Sequence, residues 1–444
     1  MVVHHGAPRG RPRSRAVKRL RMRRRYPLAL ALVLLAAAAA VAPVWARGAP
    51  RATSSLFGTL GQGSWNWFGD PRAVYVGNPY DEIIVGWIDW SGNVTVAAYS
   101  PQSGVASTQV IGQTFHDDHS SPSIVIEPDK RLTVFYSAHN GSEMYYRSTL
   151  LPGNISAWGP LQEVPSNVKG SLGFTYPNPV LLPAEENKLY LFWRGGDWST
   201  DYATRTVDGR WSQARALIRV PGQRPYVKVA PGGRDEIALA FTNGHPRNVL
   251  TSIYYAVYRA GSLWTAGGRW ISRIASGPIR PAQADLVYNA RATHVPSWVW
   301  DVAVGPRGRP VIVYATFPSH QRHEYWYADW TGTRWVSHFL TDGGGSISPD
   351  TIEYEYSGGI TLDHSDPSIV YLSRQVRGGF EIERWTTADG GVRWRHTVVV
   401  PADGTDNVRP VVPRGWDRGP MSLLWLRGDY GSYTTYRTSV DYLR

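Results

Sequence analysis

The sequence predicts an all-β chain folded as a seven-bladed β-propeller, and three observations carry that prediction. After the first 46 residues the chain shows almost no helical periodicity. It shows short β-branched and aromatic runs, cut by Gly, Pro, Asn and Asp, which is the pattern of strands and turns. One such run recurs seven times. Finally, seven units in residues 47–444 give roughly 57 residues each, the size of a four-stranded blade.

The recurring run begins with aliphatics, continues with an aromatic or apolar residue and ends on a polar or Gly stop. It stands at Glu82–Trp90, Arg131–His139, Lys188–Gly196, Glu236–Gly244, Arg309–Phe317, Asp366–Arg374 and Gly419–Gly428. Successive starts are 49, 57, 48, 73, 57 and 53 residues apart. A shorter strand precedes each copy, and an aromatic-rich strand follows most of them. Thr386–Trp394 (TTADGGVRW) resembles an aspartate-box hairpin. One unit alone leaves both faces of its sheet uncovered, whereas a ring of seven covers them and leaves few edges. The alternative architecture is a pair of β-sandwiches, but the repeat has no linker between halves. The two chain ends are expected to meet in one blade.

Composition narrows the classes. With 42% apolar residues, 20 Trp and 25 Tyr, the chain is too apolar for a disordered protein. It has no cysteine, which excludes disulfides, thiolate metal sites and a Cys nucleophile. Of the net charge of +12, ten units come from Lys and Arg in residues 1–46, which leaves +2 for the rest. The basicity is therefore an N-terminal label, and no nucleic-acid partner is expected.

Residues 1–26 are basic, Pro27 to Trp45 is an apolar run, and Val44-Trp45-Ala46 offers a cleavage pattern. This order predicts a signal peptide over 1–46, a short linker over 47–64 and a propeller over 65–444. An uncleaved anchor is the alternative, because 19 apolar residues just span a bilayer. The expected product is a secreted monomer with no membrane attachment after processing.

In a propeller the first strand of each blade lines the channel, and the second runs back beside it. The start of one and the end of the other share a face. Those places collect Asp70, Arg72, His116, Asp117, Asp118, His119, His139, Tyr176, Asn178, Arg194, Arg224, Tyr226, Asn243, His245 and Arg247. Later blades add Trp300, Asp301, Tyr354, Arg374, Asn407, Arg409 and Arg427. Asp70, His119, Tyr176, Arg224, Trp300 and Asn407 are expected to ring one mouth. Asp117 and Asp118 also read as turn caps, Arg409 as a channel ion-pair residue and His245 as a structural histidine. Hairpin geometry brings His119 to His139 and Tyr176 to Arg194.

Those residue types suit an acidic carbohydrate. Arg binds a carboxylate bidentately. A neutralised uronate carboxylate makes the C5 proton more acidic, because the developing enolate is stabilised. A Tyr or His can take that proton and return one to the departing O4. This β-elimination needs no metal and no cysteine.

The segments DDHSSPSIVIEPDKRLTVFYSAH, FTYPNPVLLPAEENKLYLFWRGG and RPYVKVAPGGRDEIALAFTNGHPR, with WVWDVAVGPRGRPVIVY, GGITLDHSDPSIVYLSR and NVRPVVPRG, resemble ulvan-lyase-type polysaccharide lyases of the neuraminidase-repeat (BNR-like) propeller superfamily. The resemblance runs in order over about residues 65–440. It implies a lyase that cleaves rhamnose–uronate linkages in an ulvan-like or rhamnosyl-glucuronate polysaccharide. It implies His119 and Tyr176 as the base and acid, with the order left open, and Arg194 as the carboxylate neutraliser. His139, Asn178, Arg224, Tyr226, His245 and Arg409 would bind substrate. No cofactor is required for the chemistry. Some members carry a structural divalent metal with a Cys ligand, and here His245 and His323 are the candidates for an altered site. The alternatives are a rhamnosidase-like glycoside hydrolase, with Asp117, Asp118 and Asp301 as its carboxyls, and a non-catalytic glycan-binding propeller.

Overall fold

The structure is a computed structural model that describes residues 56–166, 173–349 and 353–444. The expected signal peptide and the first part of the expected linker lie outside the described residues. The described chain forms seven antiparallel sheets, one per blade. Each recurring run supplies the second strand of a blade. Those strands are Ile83–Ile88, Leu132–Tyr136, Lys188–Arg194, Glu236–Thr242, Pro310–Ser319, Ile369–Val376 and Leu424–Ser432. They are the buried middle of each sheet, which is why they read as near-continuous apolar runs.

The 73-residue spacing has a structural cause. Blade 4 has six strands instead of four, with Ser262–Trp264, Trp270–Arg273 and Asp285–Tyr288 following its third strand. Thr386–Trp394 does form a turn between the third and fourth strands of blade 6. Thr387 Oγ1 accepts from Gly391 N at 2.9 Å, Asp389 Oδ1 from Arg393 N at 2.8 Å, and Trp394 Nε1 donates to Gly391 O at 2.8 Å.

The ring closes in blade 7. Phe57–Gln62 pairs antiparallel with the final strand, Thr435–Leu443, as the outermost strand of that sheet. The ends do meet in one blade. Residues 57–62, expected as linker, are part of the propeller instead. They lack a strong apolar run because an outer strand is covered on one side only.

The next segment was not foreseen. Trp65, Trp67 and Phe68 are 0–1% exposed and fill the channel. Trp67 stacks on Trp300 at 4.3 Å and meets Trp298 and Tyr356 edge-on. Phe68 packs against Tyr176 and Tyr226. Trp65 Nε1 donates to Arg409 O, and Arg409 Nη1 donates to Trp65 O. One peptide thus joins the inner strands of blades 3, 5 and 7 to Tyr226 at the entry of blade 4 and to the loop that carries Tyr356, and these rings belong to the largest apolar cluster among the described residues.

Candidate active site

The inner strand of blade 2 is entered through a short turn, Asp118–Ser120, capped by Asp117, whose carboxylate accepts from His119 N. The cap reading is therefore correct for Asp117 and not for Asp118, which lies inside the turn and pairs with Arg409, and the Asp117 carboxylate does more. Its Oδ1 lies 3.0 Å from His119 Nδ1 and its Oδ2 lies 2.8 Å from His139 Nδ1. The two imidazoles stack at 4.0 Å with 12° between their planes. With both Nδ1 atoms on one carboxylate, both carry hydrogen there; His139 Nε2 is left for the cleft, while His119 Nε2 lies 3.4 Å from Tyr356 Oη.

Charge divides the pair. Burial disfavours a charged His119, but Asp117 and Asp118 outweigh it and raise its pKa to about 9. Asp118 Oδ1 is 2.9 Å from the same Nδ1. His139 is lowered to about 4, first by burial and then by the charge on His119. Between these values the pair carries one positive charge, on His119. Asp117 stays ionised, because the two histidines overcome its burial.

Tyr176 comes from the inner strand of blade 3. It sits at φ 62°, inside a register shift between Thr175 and Asn178. A bulge re-aims a side chain, and a left-handed backbone at a Tyr is held only where the surroundings over-determine it. The ring lies 5.5 Å from His119, and Arg194 sits over it at 4.9 Å. Burial drives the Tyr176 hydroxyl pKa well above its ordinary value.

Arg194 ends the second strand of blade 3. Its Nε donates to Gly173 O, and its Nη2 to Asn140 Oδ1 and Thr175 Oγ1 at 2.7 and 2.8 Å. The fork expected to grip a carboxylate is occupied by the protein. Nη1, whose bond to Tyr226 Oη is 3.4 Å, keeps donor capacity. Tyr226 meets His245 edge-on at 5.5 Å. Burial and then Arg247, Arg224, Arg194 and His119 push His245 well below its ordinary pKa, so these cations share one field. Arg224 is half-buried over Trp198 at 4.6 Å.

His119, His139, Tyr176, Arg194, Arg224, Tyr226 and His245 therefore gather at one mouth. Others do not. Arg409 is fully buried under Trp67 and Tyr430 and paired with Asp118, so the channel ion-pair reading is the right one. Asn178 is 1% exposed and its Nδ2 holds Phe68 O and Tyr176 O, so it positions the tyrosine and the channel peptide. Asp70 is bonded to Arg72 and Lys228. Trp300 lies deeper in the channel because the blade 5 inner strand starts at Ser297, which puts Trp298 at the mouth against His245. Asn407 Nδ2 donates to Phe380 O of the neighbouring blade 6, and Arg374 and Arg427 serve bonds within their own blades. Tyr354 stacks on His320.

The three carboxyls of the hydrolase alternative are each engaged by the protein, Asp117 and Asp118 together at His119 Nδ1 and Asp301 apart from them. Asp117 serves the histidines and Asp118 serves Arg409. Asp301 bonds His364 and Thr361 further down the channel. His245 and His323 do not build a metal site. His245 Nδ1 accepts from Arg247 N, and His323 Nδ1 lies 2.9 Å from Ser357 Oγ. Among the described residues, the one place where three metal-ligating side chains gather is Asp117, His119 and His139. There both carboxylate oxygens are already bonded to the imidazoles.

Sequence reasoning missed several residues of this mouth. Tyr433 meets His119 and His139 edge-on at 4.7 and 5.3 Å. Tyr356 Oη is 3.4 Å from His119 Nε2. Asn140 orients Arg194, and Glu353 pairs with Arg247 at 2.6 Å. These come from loops outside the repeat, where periodicity gives no signal.

A family model described as a BNR repeat-containing family member matches residues 83–343. Among curated proteins none matches the chain. A solved polysaccharide lyase PL25 ulvan lyase, bound to -[GlcA(1-4)Rha3S]-, superposes with a TM-score of 0.66 at 15% identity, over 87% of this chain and 94% of that one. The polysaccharide lyase Uly1 superposes with a TM-score of 0.56 at 14% identity, over 84% and 90%. At such identities the likeness is one of fold.

Proposed function

This chain belongs to the BNR repeat-containing family, and from that premise we propose that it is a polysaccharide lyase cutting rhamnose–uronate linkages by β-elimination. The observation that carries the reading is the convergence of Arg194, Tyr176 and the His119–Asp117–His139 relay in one cationic cleft.

In this reading the uronate carboxylate lies against Arg194 Nη1 and the hydroxyl of Tyr226. The charge of Arg194 stabilises the enolate that forms as the C5–H bond breaks. His139 is neutral near pH 7, with Nδ1 donating to Asp117, so its Nε2 lone pair is the ready base. The C5 electron pair forms the C4–C5 double bond, and the C4–O4 bond breaks. O4 takes a proton from His119, which holds one near pH 7, or from the Tyr176 hydroxyl, which burial keeps protonated. Turnover leaves the C5 proton on His139 Nε2 and removes one from His119 or Tyr176; Asp117 stays bonded to both Nδ1 atoms, and proton exchange with solvent restores the starting state. His139, expected only to position substrate, becomes the base because its neighbour carries the charge.

The fold of two polysaccharide lyases, one of them bound to -[GlcA(1-4)Rha3S]-, supports this substrate class. The experiment is digestion of that polymer while following ultraviolet absorbance of the conjugated unsaturated uronate. Elimination raises it. New reducing ends without absorbance would mean hydrolysis, and binding without either would mean a lectin.

A further inference from the structure

We infer that the surface cavity between the hairpin tips of blades 1 and 7 is a distal sugar-binding subsite, so that the polysaccharide crosses the mouth and is cut internally. The inference rests on the lyase reading for its chemistry. Its geometry is separate from the histidine relay.

The cavity has a volume of about 510 Å³ and is lined by Trp90, His116, Asp429, Thr434, Tyr436 and Arg437, among others. Trp90 stands just beyond the second strand of blade 1. Its Nε1 donates to Thr438 O at 3.0 Å, which holds the indole in place, yet 39% of the residue is exposed. His116 stacks on Tyr436 at 4.0 Å, and its Nδ1 lies 2.9 Å from Trp90 O. The result is a rigid aromatic wall that costs little ordering on contact. Asp429 and Arg437 face each other across a strand pair, and both are exposed. Apolar rings with a few polar groups beside them fit a sugar, which has C–H faces and hydroxyl edges.

The cavity continues from the reacting centre. Tyr433, which touches both histidines, immediately precedes Thr434 in its wall. His116 immediately precedes Asp117. A chain leaving the centre across Tyr433 therefore meets Trp90 next. On the other flank stands Trp198, also 39% exposed, but there the guanidinium of Arg224 lies over the ring. No ring or guanidinium stacks on Trp90 among the described residues. The Arg224 side suits an acidic sugar, and the bare Trp90 side suits a neutral one. With platforms on both flanks, the cleft accepts sugars on either side of the cut.

The test compares kcat/KM on the polymer -[GlcA(1-4)Rha3S]- with kcat/KM on its tetrasaccharide. Trp90→Ala should lower the polymer-to-tetrasaccharide ratio about tenfold, while Trp90→Phe, which keeps a platform, should largely retain it. Trp270→Ala, an exposed tryptophan on an outer strand of blade 4, should leave the ratio unchanged. An unchanged ratio in Trp90→Ala would overturn the subsite and leave the lyase reading standing. If the wild type forms no unsaturated product, the lyase reading fails by itself. Retardation in gels containing the polymer then decides the subsite. Weaker retardation of Trp90→Ala than of wild type supports it, and equal retardation or none overturns it.

Discussion

At one mouth of the channel Arg194, Arg224, Arg247 and His119 crowd around tyrosines, with Glu353 as a counter-charge to Arg247. At the other, Asp70 is bonded to Arg72 and Lys228, and Asp301 to His364. These pairs stand near a cavity of about 370 Å³ walled by Val74, Ile124, Val180, Val229 and Val304, with His364 and Arg414 at its edge. Both mouths are ends of the same inner strands. What differs is whether the charges close on one another. Paired buried charges are costly to break one at a time, while an excess of one sign beside perturbed histidines marks a candidate ligand site. This apolar cavity therefore has no part in the proposed reaction.

The comparison breaks most sharply at Tyr176. Tyr176→Phe should lower unsaturated-product formation by roughly 10²-fold or more, while retardation by the polymer in a gel stays near wild type. Near-normal turnover would remove the hydroxyl from the mechanism. Arg194→Lys comes next. It keeps a charge but loses the bonds to Gly173, Asn140 and Thr175 that orient it, so kcat/KM should fall by about 10 to 10²-fold. A circular-dichroism melt close to wild type would locate that loss in the cleft.

The relay sets the pH profile. A base near 4 and an acid near 9 predict a broad bell in kcat/KM, with an acid limb near 4 and an alkaline limb near 9. Asp117→Asn removes the main group that raises His119, so the alkaline limb should move down toward the ordinary histidine range. A fixed alkaline limb would mean another group holds that proton. Stability follows the same two shifts with opposite signs. His119 binds its proton more tightly folded than unfolded, so its contribution is complete below about 6.5 and is lost as pH rises through about 9. His139 binds its proton more weakly folded, so stability falls as pH drops from about 6.5 through about 4. Melting temperatures across this range should peak near the middle.

The other mouth should answer differently. Lys228→Met leaves Asp70 with Arg72 alone and should cost about 3 kcal/mol, seen as a drop in Tm of several degrees, with kcat/KM unchanged at moderate temperature. His364→Ala should be the mildest, with kcat/KM changed less than about twofold. A strong activity loss in either variant would show that the two mouths are coupled.

Much of this was legible before the structure. The seven second strands are buried on both faces, so their residues are apolar without interruption, and that pattern is local and repeats. His119 with His139, and Tyr176 with Arg194, were also legible, because antiparallel hairpins bring the ends of consecutive strands together. The pattern failed where position depended on depth or on distant segments. Trp300 and Asp301 share a strand with Trp298, and only the strand's starting point decides which of them reaches the mouth.

The sequence by itself determined the ring of seven blades, because each blade's periodicity is a property of a few dozen neighbouring residues. It also determined the chemical inventory, without cysteine and with two histidines twenty residues apart. Only the tertiary structure decided that Trp65, Trp67 and Phe68 fill the channel, that Arg409 is sealed beneath them, and that one Asp117 carboxylate is shared by both histidines. Those outcomes depend on contacts between residues far apart in the chain. The same Asp, Arg or Trp is a ligand-binding group or a buried brace according to what distant strands place against it.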